Sequence, residues 1–411
     1  MTTRDYDDET IASIYLRVAS DHQIALILAT TLTGMLEAAL APALPAIASA
    51  LGVSDSRVGL LITFFKVPSI LVIPIGAVVA DRYGRRAVLL PSLFLFGSGG
   101  VAMYFLETFA LLLAFAVVMG VGAAVIFPIT VTMLGDICTG PANAAAQGFR
   151  VAIVGIGAIS IPALSGYLSG LSWNAPFLLF ALAFPMLIGA HLFLRETIQP
   201  TVSAGDGLGV RSVTRQYGGA IRNELLEPSL RILVVGGFVR GFIRYAVLTF
   251  IPLFAVRVMG ASLFEAGALL SIRGFAYVFV SPISGLIVAQ IGRKRALLAS
   301  MAVSTGALIA IPFAPDLVVL SVFVLCYFVG DALFDPVMKD TVTSMGHPEY
   351  LAGIVNTLYT LKRAGQTVSP VLFGFVLAVT GYEALFVLAG VVVFAYFVAF
   401  RATFAFERPS A

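Results

Sequence analysis

Nine ionisable side chains fall inside stretches that are otherwise apolar: Glu37, Lys66, Arg240, Arg244, Arg273, Asp331, Asp335, Lys362 and Arg363. At the centre of a bilayer each costs about 2.5–3.5 kcal/mol, so charges kept there point to a solute or ion path. Glu37, Asp331 and Asp335 are the candidate proton carriers. Arg240, Arg244, Arg273, Lys362, Arg363 and Lys66 are the candidate substrate contacts, because arginine grips carboxylate or phosphate with a two-pronged geometry. Arg240 and Arg244 are four apart and share a helix face, as do Asp331 and Asp335. Lys362 and Arg363 are adjacent, about 100° apart on a helix, and cannot share one partner. Two arrangements stay open. The two aspartates neutralise two cations in a packing network, or the surplus positive charge awaits an anionic group on a substrate. Glu37 and Lys66 are likewise either an ion pair or a titrating carboxylate beside a cation.

Other chemistries have little to stand on. His22, His191 and His347 are scattered, and Cys138 and Cys326 are lone cysteines in apolar stretches, so no metal site is expected. No phosphate-binding Gly-x-x-x-x-Gly-Lys-Ser/Thr loop is present, so this chain by itself does not draw on ATP. No cofactor, no nucleic acid and no enzyme activity are expected, since neither clustered histidines nor a nucleophile elbow occurs.

The elements around these charges are built for lipid. Of 411 residues, 59% are hydrophobic and 11% charged, and the mean hydropathy is +1.00. That is too little charge to cover a water-soluble protein. Apolar runs between short polar turns predict an all-α membrane protein with twelve transmembrane helices. These are α1 23–46, α2 57–80, α3 86–106, α4 109–135, α5 147–170 and α6 174–194, then α7 231–256, α8 263–289, α9 294–313, α10 317–339, α11 350–377 and α12 383–404. The nine charges occupy α1, α2, α7, α8, α10 and α11, as a central aqueous cavity requires. The expected organisation is a cytoplasmic tail 1–22, a six-helix bundle 23–194, a cytoplasmic linker 195–230, a second six-helix bundle 231–404 and a tail 405–411. A partly amphipathic piece near Arg215–Leu226 is expected on the membrane surface. With the N-terminus inside, cytoplasmic segments hold seventeen of the twenty-five basic residues and the outer loops only Arg57 and Arg257. Both termini are therefore expected in the cytoplasm, in a multi-pass protein of the cell membrane.

The two halves repeat at an offset of 208 residues. Nine Gly or Pro positions coincide: Gly52/Gly260, Gly59/Gly267, Pro74/Pro282, Gly84/Gly292, Gly122/Gly330, Pro128/Pro336, Gly157/Gly365, Pro162/Pro370 and Gly166/Gly374. Roughly two would coincide by chance, so a duplicated scaffold is implied. None of the nine intramembrane charges lands on another charge under the same shift. The charges therefore mark what is specific to each half, weighted toward the C-terminal one.

Between α2 and α3 the chain reads Gly76-Ala77-Val78-Val79-Ala80-Asp81-Arg82-Tyr83-Gly84-Arg85-Arg86, and between α8 and α9 it closes with Gly292-Arg293-Lys294. This resembles the signature loop of the major facilitator superfamily. The resemblance implies two pseudo-symmetric six-helix bundles, with α3, α6, α9 and α12 on the outside. It also implies a gating role for Gly76, Asp81, Arg82, Gly84, Arg85, Arg86, Gly292, Arg293 and Lys294. In the family the carboxylate at Asp81 latches the halves together on the cytoplasmic side. Ala289 and Gln290 replace the Asp-Arg pair in the second copy, so such a latch is one-sided here. Gly157, Pro162 and Gly166 in α5 resemble part of the pattern of the drug:proton antiporters, with Ile161 and Ser165 departing from it. A closely packed, kinked helix explains the same residues. Ala116 stands four residues before Gly120, where many proton-coupled exporters have arginine.

These features lead to the expectation of a monomeric secondary transporter working by alternating access on a small-molecule substrate and protons. Proton-coupled efflux of a small organic solute, with an anionic group, comes first. Import of an organic anion is the alternative, and a non-transporting membrane sensor is the remote one.

Overall fold

The computed structural model describes residues 11–198, 227–345 and 351–404, and among them every regular element is helical. The tail 405–411, most of the linker and the amphipathic piece near Arg215–Leu226 lie outside the described residues, as does His347. A short helix, Ile11–Ser20, precedes the first span. Asp21 then caps α1, its carboxylate accepting from the Gln23 and Ile24 amides at 2.7 and 3.2 Å.

The spans are α1 His22–Leu51, α2 Asp55–Tyr83, α3 Arg85–Tyr104, α4 Phe109–Ile137, α5 Gly140–Leu171 and α6 Ala175–Phe193. They continue with α7 Pro228–Arg257, α8 Leu263–Ile291, α9 Arg293–Phe313 and α10 Leu317–Met345. The last helical tract, Leu351–Thr403, is broken at Gly381, whose φ of 86° no other residue type adopts easily. It therefore supplies α11, 351–380, and α12, 382–403. Within α1 the chain tightens to a 3-10 turn over Met35–Ala39, and Glu37 sits in that turn.

Two ends depart furthest from expectation. The apolar run predicts that α5 begins at 147, yet it begins at Gly140, with φ +54°. Pro141 occupies the first turn, where its missing N–H costs nothing. At the other departure, α10 runs to Met345 rather than 339. Arg150 and Lys339 thereby move from helix ends into helix interiors.

By internal contacts the chain separates into two compact units. The first is Met1–Leu40, Phe64–Ile161 and Asn174–Val202; the second is Ala41–Thr63, Pro162–Trp173 and Ser203–Ala411. The 208-residue repeat reappears within the second unit as two matched helix crossings. At one, a Cβ on Gly267 of α8 would strike the Pro162 carbonyl of α5, and one on Gly166 would strike the Leu263 carbonyl. At the other, a Cβ on Gly374 of α11 would strike the Ser56 carbonyl of α2, and one on Gly59 would come within 3.4 Å of Pro370. Gly59, Pro370 and Gly374 are the repeat partners of Gly267, Pro162 and Gly166. The duplicated small residues are thus used to bring helix backbones together.

Candidate functional site

The densest set of buried charges lies in the second unit. Asp331 and Asp335 project from one face of α10, and Lys339 continues that face one turn on. Arg240 and Arg244 project from α7, Tyr277 and Arg273 from α8, and Lys362 from α11. Arg240 pairs with Asp331. Arg244 Nε lies 2.9 Å from the second Asp331 oxygen, and its Nη2 lies 3.4 Å from Asp335 Oδ1. Lys362 Nζ donates to Asp335 Oδ1 at 2.6 Å, and Lys339 Nζ lies 2.8 Å from Oδ2. Tyr277 closes the ring: its hydroxyl donates to Asp331 Oδ2 at 2.6 Å and receives Arg244 Nη2 at 2.6 Å.

The local sequence explains the assembly. Four-residue spacing stacks Asp331, Asp335 and Lys339 along α10, and Arg240 and Arg244 along α7. A Cβ on Gly241 would run into the Lys362 carbonyl, so glycine there brings α7 and α11 close enough for Lys362 to reach Asp335. Phe334 lies 4.9 Å beneath the Arg240 guanidinium. Asp331 is fully buried, and Asp335, Arg240, Arg244 and Lys362 are each under 9% exposed. Four cations share two carboxylates, leaving two positive charges over when all are ionised. Paired in this way the cluster is tolerable in a low dielectric; unpaired it is not.

Not every predicted residue joins. Arg273 lies against the Tyr277 ring at 5.4 Å, but its Nε is buried without a hydrogen-bond partner. Arg363 is half-buried, and no ion pair of it occurs among the described residues. Lys339 and Tyr277 do join although their sequence context did not mark them. The i, i+4 spacing of Lys339 from Asp335 carried that signal for Lys339.

In the first unit, Lys66 Nζ donates to Glu37 Oε2 at 2.7 Å, which is the ion-pair alternative. Gly84 has φ +104°, and a Cβ there would strike the Glu196 carboxylate. That carboxylate caps α3, accepting from the Arg85 and Arg86 amides at 2.8 and 3.0 Å. Glycine at this turn thus leaves room for an anion at a helix N-terminus. Arg85 meets Asp81 at 2.6 Å and Asp136 at 3.3 Å, and Arg86 donates to the His191 carbonyl. In the second copy of the loop Gly292 has φ +82° with open space around it; Arg293 meets Asp340 at 2.7 Å and Lys294 donates to the Phe404 carbonyl. Gly76 packs on Val125, and Gly157 lies against Met35. At the end of α4, burial pushes the Cys138 thiol up, with Asp21 adding to the shift and Arg17 opposing it. Among the described residues no group of His, Cys, Asp and Glu could hold a metal ion.

Comparison with known proteins adds lineage to this geometry. The family model described as Major Facilitator Superfamily matches residues 26–364 and 233–411. The bacillibactin exporter of Bacillus subtilis (strain 168) is 33% identical over 145 residues, covering 34% of this chain and 36% of the exporter. The chain thus matches about a third of that relative's length. The multidrug transporter protein MdtP of the same organism is 22% identical over 387 residues, covering 82% of this chain and 71% of MdtP. Among solved structures, a mutant of the nucleoside transporter NupG superposes with a TM-score of 0.77 at 13% identity, covering 94% of this chain and all of NupG. That likeness is one of fold.

Proposed function

The chain belongs to the major facilitator superfamily, a multi-pass membrane transporter of twelve helices in two six-helix halves, and on that premise we propose that it exports a small organic solute bearing an anionic group in exchange for protons. The single observation that carries this is the buried cluster around Asp331 and Asp335, in which four cations share two carboxylates. Two relatives named as an exporter and a multidrug transporter support the direction. The skew of Lys and Arg supports a cell-membrane location with both termini in the cytoplasm.

Exchange requires solute and proton to compete for one group. Asp335 is the group we assign to that role: Lys362, Lys339 and Arg244 converge on it, so a proton there would release all three. Hydrogen-bond donors on a solute need Asp335 ionised; a proton arriving from outside removes that acceptor and expels the solute. Alternating access then resets the site. A solute offering only an anion couples with the opposite sign. Protonating Asp335 frees its cations for the anion, so proton and solute travel together. This second mode, proton-coupled import of an organic anion, is the alternative reading of the same cluster.

The pH dependence of binding separates the two. For exchange, the affinity of the purified protein for its solute falls as pH is lowered from 8 to 6, and an inside-acid gradient across proteoliposomes drives solute uptake as protons leave. A rise in affinity over the same range assigns the import mode instead.

A further inference from the structure

We propose that Arg150, in α5 of the first unit, holds the anionic group of the transported solute and takes a carboxylate. This deepens the transporter function above and rests on it. Arg150 lies ten residues into α5, about 15 Å along the helix from its first turn. Its surroundings separate it from the other span cations. Arg240, Arg244, Lys362 and Lys66 all have a carboxylate within 3.5 Å. No carboxylate lies within ion-pair distance of Arg150 among the described residues.

The guanidinium is nevertheless held in place. Its Nε donates to Gln147 Oε1 at 2.8 Å, and Gln147 is itself fixed, donating from Nε2 to the Val131 carbonyl at 3.1 Å. The Phe127 ring of α4 lies 4.9 Å from the guanidinium carbon. One nitrogen of the fork, Nη1, is buried without any hydrogen-bond partner. A planar fork oriented on one edge, stacked on an aromatic ring and unsatisfied on the other edge is the arrangement that receives a carboxylate. A lone cation at this depth is costly, and an anion that pairs with it recovers part of that cost. Among the described residues Arg273 and Arg363 also lack a carboxylate, but neither fork is held on one edge by a fixed amide there.

The test uses the purified full-length protein in lipid-depleted detergent and a panel of small organic acids, each paired with its neutral amide. Thermal stabilisation is titrated for wild type, Arg150→Gln and Arg150→Lys. At least one acid is expected to bind wild type about tenfold or more tightly than its amide. Arg150→Gln is expected to erase that preference, and Arg150→Lys to retain only part of it. Should Arg150→Gln not elute as a single species, Gln147→Leu is the second variant, and it is expected to shrink the preference for acid over amide. A preference that survives Arg150→Gln overturns the proposal, as does the absence of any acid preference in wild type. Stabilisation by phosphatidylglycerol alone, with no soluble acid effective, assigns a lipid headgroup and equally overturns it. Flux in proteoliposomes is measured in parallel. Acid binding through Arg150 without flux in wild type defeats the transporter function and spares the site; flux with an Arg150-independent acid preference does the reverse.

Discussion

Asp335 is the side chain on which the buried cluster most depends, because Lys362, Lys339 and Arg244 all converge on its two oxygens. Removing one partner of a buried ion pair costs about 3–5 kcal/mol, since the charge left behind stays desolvated. Asp335→Asn strands two lysines at once, whereas Lys362→Met leaves Asp335 with Lys339 and Arg244. Asp335→Asn is therefore expected to lower the thermal unfolding midpoint markedly, Lys362→Met only slightly, and the double variant to recover part of the loss. Equal midpoints for the two single variants would contradict this hierarchy. The spacing of Asp331 with Asp335 and of Arg240 with Arg244 was legible in the sequence, because a period of 3.6 residues fixes which side chains share a face. That these two pairs meet each other was not, since it depends on how α7 and α10 pack. Arg150 and Lys339 were hidden for a simpler reason: hydropathy places them at helix ends, and only the true limits at Gly140 and Met345 put them inside.

At the scale of elements, helix proximity is set by glycine. Gly241 of α7 stands against the Lys362 carbonyl of α11 with no room for a Cβ, so Gly241→Ala must push the two backbones apart. Overpacking of this kind costs about 1–3 kcal/mol, against a gain of up to about 1 kcal/mol in helix propensity. Gly285 of α8 makes a fair control, because nothing lies within 4 Å of a Cβ built there. Gly241→Ala is expected to lower the unfolding midpoint and reduce transport, and Gly285→Ala to do neither. Loss of stability in both would show that helix flexibility, and not separation, is what matters. The repeat in the sequence announced these elements well, since Gly and Pro leave marks that survive when other residues diverge. It did not reveal Glu196, which caps α3 over Gly84 from beyond α6. A cap contributed from more than a hundred residues away carries no local signal.

At the scale of the molecule, alternating access requires each end of the helix set to open in turn. In the second unit the end formed by the α1–α2, α7–α8 and α11–α12 turns is closed. Arg257 Nε reaches both Asp55 oxygens at 3.2 and 3.3 Å, and the Tyr382 hydroxyl donates to Asp55 Oδ2 at 2.7 Å. The same end carries the Gly374–Ser56 crossing, while the matched α5–α8 crossing has no such charge, since Leu263 stands where the repeat would put Asp55. The closure is thus held by an ion pair at one crossing and by backbone packing at both. Asp55→Ala removes the ion pair and the tyrosine bond but leaves the packing. For half-exposed charges that loss is about 1 kcal/mol, or about fivefold in the open population. The measurement is the labelling rate of Ser56→Cys by a membrane-impermeant maleimide. It is made in a Cys326→Ser background, with Cys138 buried at the end of α4. Asp55→Ala is expected to speed labelling about fivefold, and Gly374→Ala, which forces the backbones apart, to speed it further. If Asp55→Ala leaves the rate unchanged, the ion pair is a surface contact and the glycine crossings alone hold this end shut.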